Sequence, residues 1–140
     1  MGSILVVQSD PDTRDRLGTA LREAGHEVIT AFAVRDAVMR LREGGIDVVL
    51  VDAYDPRVGV AELSRHMESL PDTPPLVLVS GSPHAPEISA RIGAAAFIPK
   101  PYESAELVVA IDRVAGAVRP VRVIDEEEDE PTGPVRYAGS

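Results

Sequence analysis

Short apolar runs alternate along the chain with longer segments whose apolar residues recur every three or four positions. The short runs are rich in Val, Ile and Leu, as is typical of parallel strands buried on both faces. They predict five strands, at residues 4–7, 28–31, 46–51, 76–79 and 95–98. The longer segments have the spacing of an amphipathic helix. They predict five helices, at residues 11–24, 34–43, 60–70, from the late 80s to 92, and 104–117.

Residues that start or stop helices stand at the borders of these segments. Asp10 followed by Pro11 predicts an N-cap and the first position of a helix. Gly25 and the pair Gly44-Gly45 end the first two helices, since glycine favours the backbone conformation that follows a helix. Strand and helix alternate throughout. The pattern therefore predicts an α/β fold, a doubly wound five-stranded parallel sheet with five helices covering both faces.

Composition narrows the class of protein. The chain has 140 residues, no Cys, and 14 basic against 23 acidic residues, for a net charge of -9. This length suits one domain, and the lack of Cys excludes disulfides, thiolate zinc sites and cysteine nucleophiles. The acidic balance predicts no direct nucleic acid binding. The chain shows neither an apolar run of membrane-spanning length nor a secretory signal, so we expect a cytoplasmic protein that does not enter a membrane.

The acidic residues are unevenly placed along the chain. Residues 125–130 read DEEEDE, and the residues that follow include prolines and glycines, which break regular elements. Repulsion among like charges favours a solvated, disordered segment. We therefore predict a folded domain over residues 1–119 and an acidic tail or linker over residues 120–140.

Polar side chains follow three of the predicted strands. Asp52 comes after the third, Ser80 after the fourth and Lys100 after the fifth, and Lys100 is the only lysine among the 14 basic residues. The carboxyl ends of parallel strands meet at one edge of the sheet, where open α/β sheets bind their ligands. A carboxylate, a hydroxyl and an ammonium that converge there suit an anion held beside a carboxylate.

Four segments, in this order, carry a family resemblance. They read ILVVQSDPDTRDRL, IDVVLVDAYDP, LVLVSGS and GAAAFIPKPYESAEL. Together they make residues 3–117 resemble the receiver domain of two-component response regulators. The resemblance implies a flavodoxin-like sheet with strand order 2-1-3-4-5. It also implies a role in phosphorelay signal transduction rather than an enzyme activity.

The resemblance implies a role for individual residues. Asp52 would be the phosphoacceptor, which takes a phosphoryl group from a histidine kinase or a phosphotransfer protein. Ser80 and Lys100 would bind the phosphoryl oxygens. Phe97 would be the switch aromatic, with Tyr102 a packing aromatic in the same region. The surface around Phe97 and Lys100, built from the fourth helix, the fifth strand and the fifth helix, would then face a protein partner.

This chain departs from the family pattern at the metal site. Receivers carry two adjacent acids after the first strand, which hold Mg²⁺, whereas this chain has Gln8 and Ser9. Mg²⁺ prefers carboxylate oxygens, and the ligands left would be Asp10, Asp52 and the backbone carbonyl of Tyr54. Because the metal neutralises charge that develops during phosphoryl transfer, we expect phosphorylation to be slowed by orders of magnitude or lost. The alternative is an ordinary Mg²⁺-dependent receiver in which Asp10 substitutes in the metal site, a role that competes with N-capping.

Structural roles stay open for the same residues. Lys100 could form a permanent ion pair with Asp52, which would suit a receiver that is not phosphorylated. Ser80 could be a strand-end hydroxyl bonded to the backbone, and Phe97 could be a core residue.

An enzyme or nucleotide binder of the same fold is the competing class of protein. It would need a phosphate-cradling glycine loop after the first strand, but the segment QSDPDTR contains no glycine. A phosphatase with an Asp nucleophile would need a second acid, and nothing supports Asp55 in that role. The histidines lack the spacing of metal ligands and are interpreted as surface residues; they are His26, His66 and His84.

Overall fold

Five parallel strands form the sheet. A computed structural model describes residues 2–118, and the predicted tail over 120–140 lies outside the described residues. The strands are β1 (Ser3–Val7), β2 (Glu27–Ala31), β3 (Val48–Asp52), β4 (Leu76–Ser80) and β5 (Ala96–Pro99). They pair in the order β2-β1-β3-β4-β5, every pair parallel. The predicted fold class and strand order are confirmed.

Five helices connect and follow the strands. They are α1 (Pro11–Glu23), α2 (Val34–Glu43), α3 (Val60–Glu68), α4 (Ala85–Ile92) and α5 (Ser104–Val118). The fourth helix starts a little earlier than the late 80s, with Pro86 in its first turn, where proline fits without loss of a hydrogen bond. Among residues 2–118, no helix combines the length and the apolar character needed to cross a membrane.

The third strand begins two residues later than predicted. Residue 47 holds the turn that leads into the strand: the amide of Ser3 donates to Asp47 Oδ2, and the amide of Asp47 donates to the Ser3 carbonyl, both at 2.8 Å. The strand then continues to Asp52, which pairs in register with Val79. The apolar run marked the strand correctly, but its first two residues serve the turn.

Alternating side chains of the sheet build two core layers. One face of β1 carries Ile4 and Val6, which pack in the same cluster as residues of α1 and α5. The other face carries Leu5 and Val7, which cluster with residues of α2, α3 and α4. Every residue of β3 and β4 is buried, so the two central strands are covered on both sides and their carboxyl ends are fixed within the sheet.

The prediction that all three histidines lie on the surface is wrong for His26. Its side chain is buried. The ring accepts a hydrogen bond at Nδ1 from the amide of Gly2 at 3.1 Å, and Nε2 lies 2.6 Å from Asp112 Oδ1. Gly25, with φ at 96°, forms the turn just before it, and the ring lies between Gly2 and Asp112 of α5. His84 is exposed and His66 is partly exposed.

Candidate functional site

Asp52 lies at the end of the central strand β3, between the carboxyl ends of β1 and β4. Its side chain is 0% exposed, and neither carboxylate oxygen is accessible to water. Within residues 2–118, neither oxygen accepts a hydrogen bond. A buried carboxylate left in this state is costly unless a counter-charge lies close to it.

Lys100 provides that counter-charge. Its Nζ lies 2.6 Å from Asp52 Oδ1, and its side chain is 37% exposed, so the ammonium bridges the buried carboxylate and the solvent. The contact is an ion pair whose angles are not those of a hydrogen bond, which is why Oδ1 is in contact with a charge and yet accepts no hydrogen bond. The residue is held in place from the backbone, since its amide donates to the Ser80 carbonyl at 3.2 Å.

Ser80 is buried at the end of β4, and its hydroxyl oxygen accepts a hydrogen bond from the loop that follows. Ser80 Oγ accepts a hydrogen bond from the amide of Ser82 at 3.1 Å. Ser82 Oγ in turn accepts from the amide of His84 just before α4. The structure thus brings Asp52, Ser80 and Lys100 to one edge of the sheet as predicted, but in this conformation the Ser80 hydroxyl is bonded to backbone.

The side chain of Gln8 lies beside Asp52, and both its amide nitrogen and its amide oxygen form hydrogen bonds. Gln8 Nε2 donates to the backbone carbonyl of Asp52 at 3.2 Å. Gln8 Oε1 accepts from the amide of Asp10 at 2.9 Å and from the hydroxyl of Ser9 at 3.4 Å. The side chain therefore ties the loop between β1 and α1 to the end of β3.

Asp10 is the N-cap of α1, as predicted. Its Oδ2 accepts hydrogen bonds from the Thr13 hydroxyl at 2.7 Å and from the Thr13 amide at 2.9 Å. These two bonds, with smaller contributions from Arg16 and Arg14, lower the pKa of the Asp10 carboxyl. The carboxylate is thus engaged with its own helix.

Comparisons with known proteins show the family to which this fold belongs. The model of the response regulator receiver domain family matches residues 4–112. This chain belongs to the receiver domain family. Response regulator MprA of Mycolicibacterium vanbaalenii is 30% identical over 107 residues, 75% of this chain and 46% of that protein. The transcriptional regulatory protein YrkP of Bacillus subtilis is 27% identical over 128 residues, 91% of this chain and 54% of that protein. This receiver thus spans about half the length of these two relatives.

Solved structures show the same fold. The receiver domain of a signal transduction histidine kinase from Syntrophus aciditrophicus superposes with a TM-score of 0.75 at 26% identity, covering 90% of this chain and 98% of that one. The non-phosphorylated HemR receiver domain from Leptospira biflexa gives a TM-score of 0.73 at 24% identity, covering 86% of this chain and 98% of that one. Receiver domains are signalling modules, and the family binds Mg²⁺ for phosphorylation.

The residues at the edge of this receiver do not fit Mg²⁺. Within residues 2–118, no group of three or more acidic or histidine side chains is placed to hold a metal ion. Gln8 Nε2 points its N–H at the Asp52 carbonyl, and the Asp52 carboxylate faces Lys100 instead. Asp10 Oδ2 is occupied by Thr13. A hard dication needs several free oxygens, and here both carboxylate oxygens of Asp52 are covered, while Gln8 Oε1 and Asp10 Oδ2 already accept hydrogen bonds.

Phe97 and Tyr102 are both half-buried and lie on opposite faces of the sheet. Phe97, in register with Leu78 of β4, packs against the core layer that contains α4. Tyr102 packs against the other layer, and burial, more than the nearby Asp52 charge, raises the pKa of its hydroxyl. The packing agrees with the core interpretation of Phe97, and its predicted role as a switch aromatic stays a prediction.

Two features of the edge were not predicted from the sequence. Arg14 Nη1 donates to the backbone carbonyl of Gln8 at 2.9 Å; its position one turn into α1 was the available signal, because helical side chains point back toward the N-terminus. A cleft of about 590 Å³ opens above Gln8 and Asp52, and its rim carries the exposed side chains of Phe32, Tyr54 and Val58. Exposed apolar residues in loops give no periodic signal, so the pattern along the chain could not group them.

An ion pair fixes the loop after β3, which also carries Tyr54 and Val58. Arg57 donates from Nε and Nη2 to the two carboxylate oxygens of Asp55, at 3.0 and 2.9 Å. These side-chain bonds, followed by the bond from the Arg57 amide, lower the pKa of the Asp55 carboxyl to about 2. Asp55 is thus held as a carboxylate by its own loop, and it forms no acid pair with the buried Asp52.

Proposed function

We propose that this chain is an atypical response-regulator receiver that acts as a protein-interaction module in phosphorelay signalling, with phosphorylation of Asp52 weak or lost. The observation that supports this most directly is the closed ion pair. Both oxygens of Asp52 are inaccessible to water, and the Lys100 ammonium lies 2.6 Å from one of them. A phosphoacceptor must present an oxygen in line with the incoming phosphorus.

Charge at the site favours the same conclusion. Phosphoryl transfer needs positive charge to offset the negative charge that builds up on the phosphoryl oxygens. In the family Mg²⁺ supplies most of it, whereas here the ligand set does not fit the metal and Lys100 offers a single charge. Transfer of a phosphoryl group from a donor to the Asp52 carboxylate would therefore be slow even when the ion pair opens.

The ordinary Mg²⁺-dependent receiver, with Asp10 as a substitute ligand, has weaker support. Asp10 Oδ2 caps α1 through two bonds from Thr13, at 2.7 and 2.9 Å. Turning the carboxylate toward Asp52 would break both bonds and leave the first turn of the helix uncapped. Metal binding would have to offset the free energy lost with these two hydrogen bonds, and few other ligands are present to contribute.

The proposed partners are proteins of a two-component pathway, in the cytoplasm. A histidine kinase or a phosphotransfer protein would bind if phosphorylation persists. An output partner would bind the surface around Phe97 and Lys100, the face formed by α4, β5 and α5. The net charge of -9 supports a role without direct nucleic acid contact.

Nuclear magnetic resonance with beryllofluoride, a mimic of the phosphoryl group, tests the proposal. We expect Mg²⁺ and beryllofluoride to leave the amide signals of Ser80, Ser82 and Phe97 in place at concentrations that saturate a conventional receiver. The Asp52→Ala variant under the same additions controls for effects away from the site. A full, saturable shift of those signals in the unmodified chain, absent in Asp52→Ala, would show an ordinary phospho-switched receiver instead.

A further inference from the structure

Gln8 forms hydrogen bonds through both atoms of its side-chain amide and through its backbone N–H and carbonyl. Its amide N–H donates to the Ala31 carbonyl at 3.0 Å, and its carbonyl accepts from Arg14 at 2.9 Å. Its side chain reaches the Asp52 carbonyl at 3.2 Å and the Asp10 amide at 2.9 Å. One residue thus joins β1, β2, the first turn of α1 and the end of β3.

The orientation of the Gln8 side-chain amide is fixed by its partners. The Asp52 carbonyl can only accept, so it must face the NH₂ group, and the Asp10 amide can only donate, so it must face the oxygen. A carboxylate at position 8 would place a second acceptor against the Asp52 carbonyl. Two acceptors at this distance repel each other unless a cation lies between them.

We propose that the Gln8 amide holds this edge of the receiver together without a metal ion. Its NH₂ group supplies, without a charge, the contact to the Asp52 carbonyl, and its oxygen holds the loop between β1 and α1. The edge of the sheet is therefore assembled in the absence of Mg²⁺, and an incoming cation meets an N–H donor at position 8, where the family has a carboxylate oxygen. This inference deepens the proposed function, because a permanently assembled edge has no metal-dependent step.

Paramagnetic broadening by Mn²⁺, which substitutes for Mg²⁺ on oxygen ligands, tests the exclusion of metal. In the unmodified chain we expect the amide signals of Ser9, Ala53 and Tyr54 to stay sharp. The Gln8→Asp/Ser9→Asp variant should broaden at these amides at a Mn²⁺ concentration at least tenfold lower. Ser9→Asp is the matched control, since it adds a carboxylate but keeps Gln8, and it should behave as the unmodified chain does. Equal broadening in the unmodified chain, or in Ser9→Asp, would overturn the inference.

Hydrogen exchange tests whether the Gln8 side chain holds the loop between β1 and α1, and it needs no metal. Gln8→Ala removes the acceptor of the Asp10 amide, so this amide should exchange at least tenfold faster. Gln8→Glu keeps an oxygen at that place and should retain the protection of the Asp10 amide, while placing an acceptor against the Asp52 carbonyl. Addition of MgCl₂ should then raise the melting temperature of Gln8→Glu and leave that of the unmodified chain unchanged. Unchanged exchange of the Asp10 amide in Gln8→Ala would contradict the inference.

The two proposals fail in different ways. If Mn²⁺ broadens the amide signals of Ser9, Ala53 and Tyr54 in the unmodified chain but beryllofluoride produces no shift, the inference about Gln8 is wrong and the proposed function stands. If beryllofluoride shifts the signals without site-specific Mn²⁺ broadening, the proposed function is wrong and the inference about Gln8 stands.

Discussion

At the scale of single residues, the ion pair between Lys100 and Asp52 dominates the site. The carboxylate is fully buried and its second oxygen has no hydrogen-bond donor within residues 2–118, so the stability of the pair depends on the ammonium. A buried pair adds little to stability compared with apolar residues of the same size, but loss of one partner leaves an uncompensated charge. Under the proposed function, the pair is a closed form of the phosphoacceptor position.

Removal of the ammonium should destabilise the domain. Lys100→Met leaves the Asp52 carboxylate buried without a counter-charge, and we expect a loss of roughly 1–3 kcal/mol in the free energy of unfolding. The loss is smaller than the roughly 3–5 kcal/mol of a fully buried pair because Lys100 reaches the solvent. Urea denaturation followed by circular dichroism measures it. In the double variant Asp52→Asn/Lys100→Met the loss should largely disappear; if it does not, the two side chains are not energetically coupled.

Asp55 and Arg57 give a prediction for acidic pH. The folded-state pKa of Asp55 is lowered to about 2 from an ordinary value of 3.8, chiefly by the hydrogen bonds from Arg57. The pair therefore contributes stability above the ordinary value, and this contribution is lost as the pH falls through about 2. A ¹³C titration of the Asp55 carboxyl should find this value, and Arg57→Ala should return it toward 3.8. An unchanged titration in Arg57→Ala would refute the assigned cause.

At the scale of secondary-structure elements, the sequence pattern predicts the cap of α1 but not the burial of His26. The cap of α1 was predictable because Asp10-Pro11 is a local signal, and the structure contains it. The burial of His26 was not, because it depends on Gly2 and Asp112, which lie 24 and 86 residues away in sequence. Local chemistry marks the ends of an element, and packing between elements decides which polar residues are enclosed.

The cap makes a prediction that separates helix capping from metal binding. Asp10→Ala removes the acceptor of two bonds from Thr13, and we expect the melting temperature to fall by a few degrees. Asp10→Ser retains a capping oxygen and should recover most of the loss. Neither variant should change the response of the melting temperature to MgCl₂. A response to MgCl₂ that is present in the unmodified chain and lost in both variants would instead identify Asp10 as a metal ligand.

The buried histidine makes a second prediction at this scale. His26→Ala leaves the Gly2 amide without its acceptor and opens a cavity between β1 and α5, so we expect a loss of about 2 kcal/mol in the free energy of unfolding. Asp112→Asn keeps an oxygen that can accept from Nε2 and should cost much less. His84→Ala, at an exposed position, is the matched control and should be close to neutral. Equal effects of the two histidine variants would show that the burial of His26 contributes nothing.

At the scale of the whole molecule, the sheet brings together residues that lie far apart in the chain. Asp52, Ser80 and Lys100 were assigned to one edge from the sequence because each follows a predicted strand, and parallel strands share that edge. The sequence could not reveal that the carboxylate is closed by Lys100, that the Ser80 hydroxyl is bonded to a loop, or that the Gln8 amide spans the edge. Those features depend on side-chain rotamers and on loop geometry, which hydrophobic periodicity does not encode.

The central claim is that Asp52 is a poor phosphoacceptor in this receiver, and intact-mass spectrometry tests it most directly. The chain is incubated with acetyl phosphate and MgCl₂, beside the Asp52→Ala variant and a conventional receiver that is known to react. We expect the conventional receiver to gain the mass of one phosphoryl group, while this chain shows little or no adduct and the same mass profile as Asp52→Ala. A stoichiometric adduct on this chain that is absent from Asp52→Ala would contradict the account.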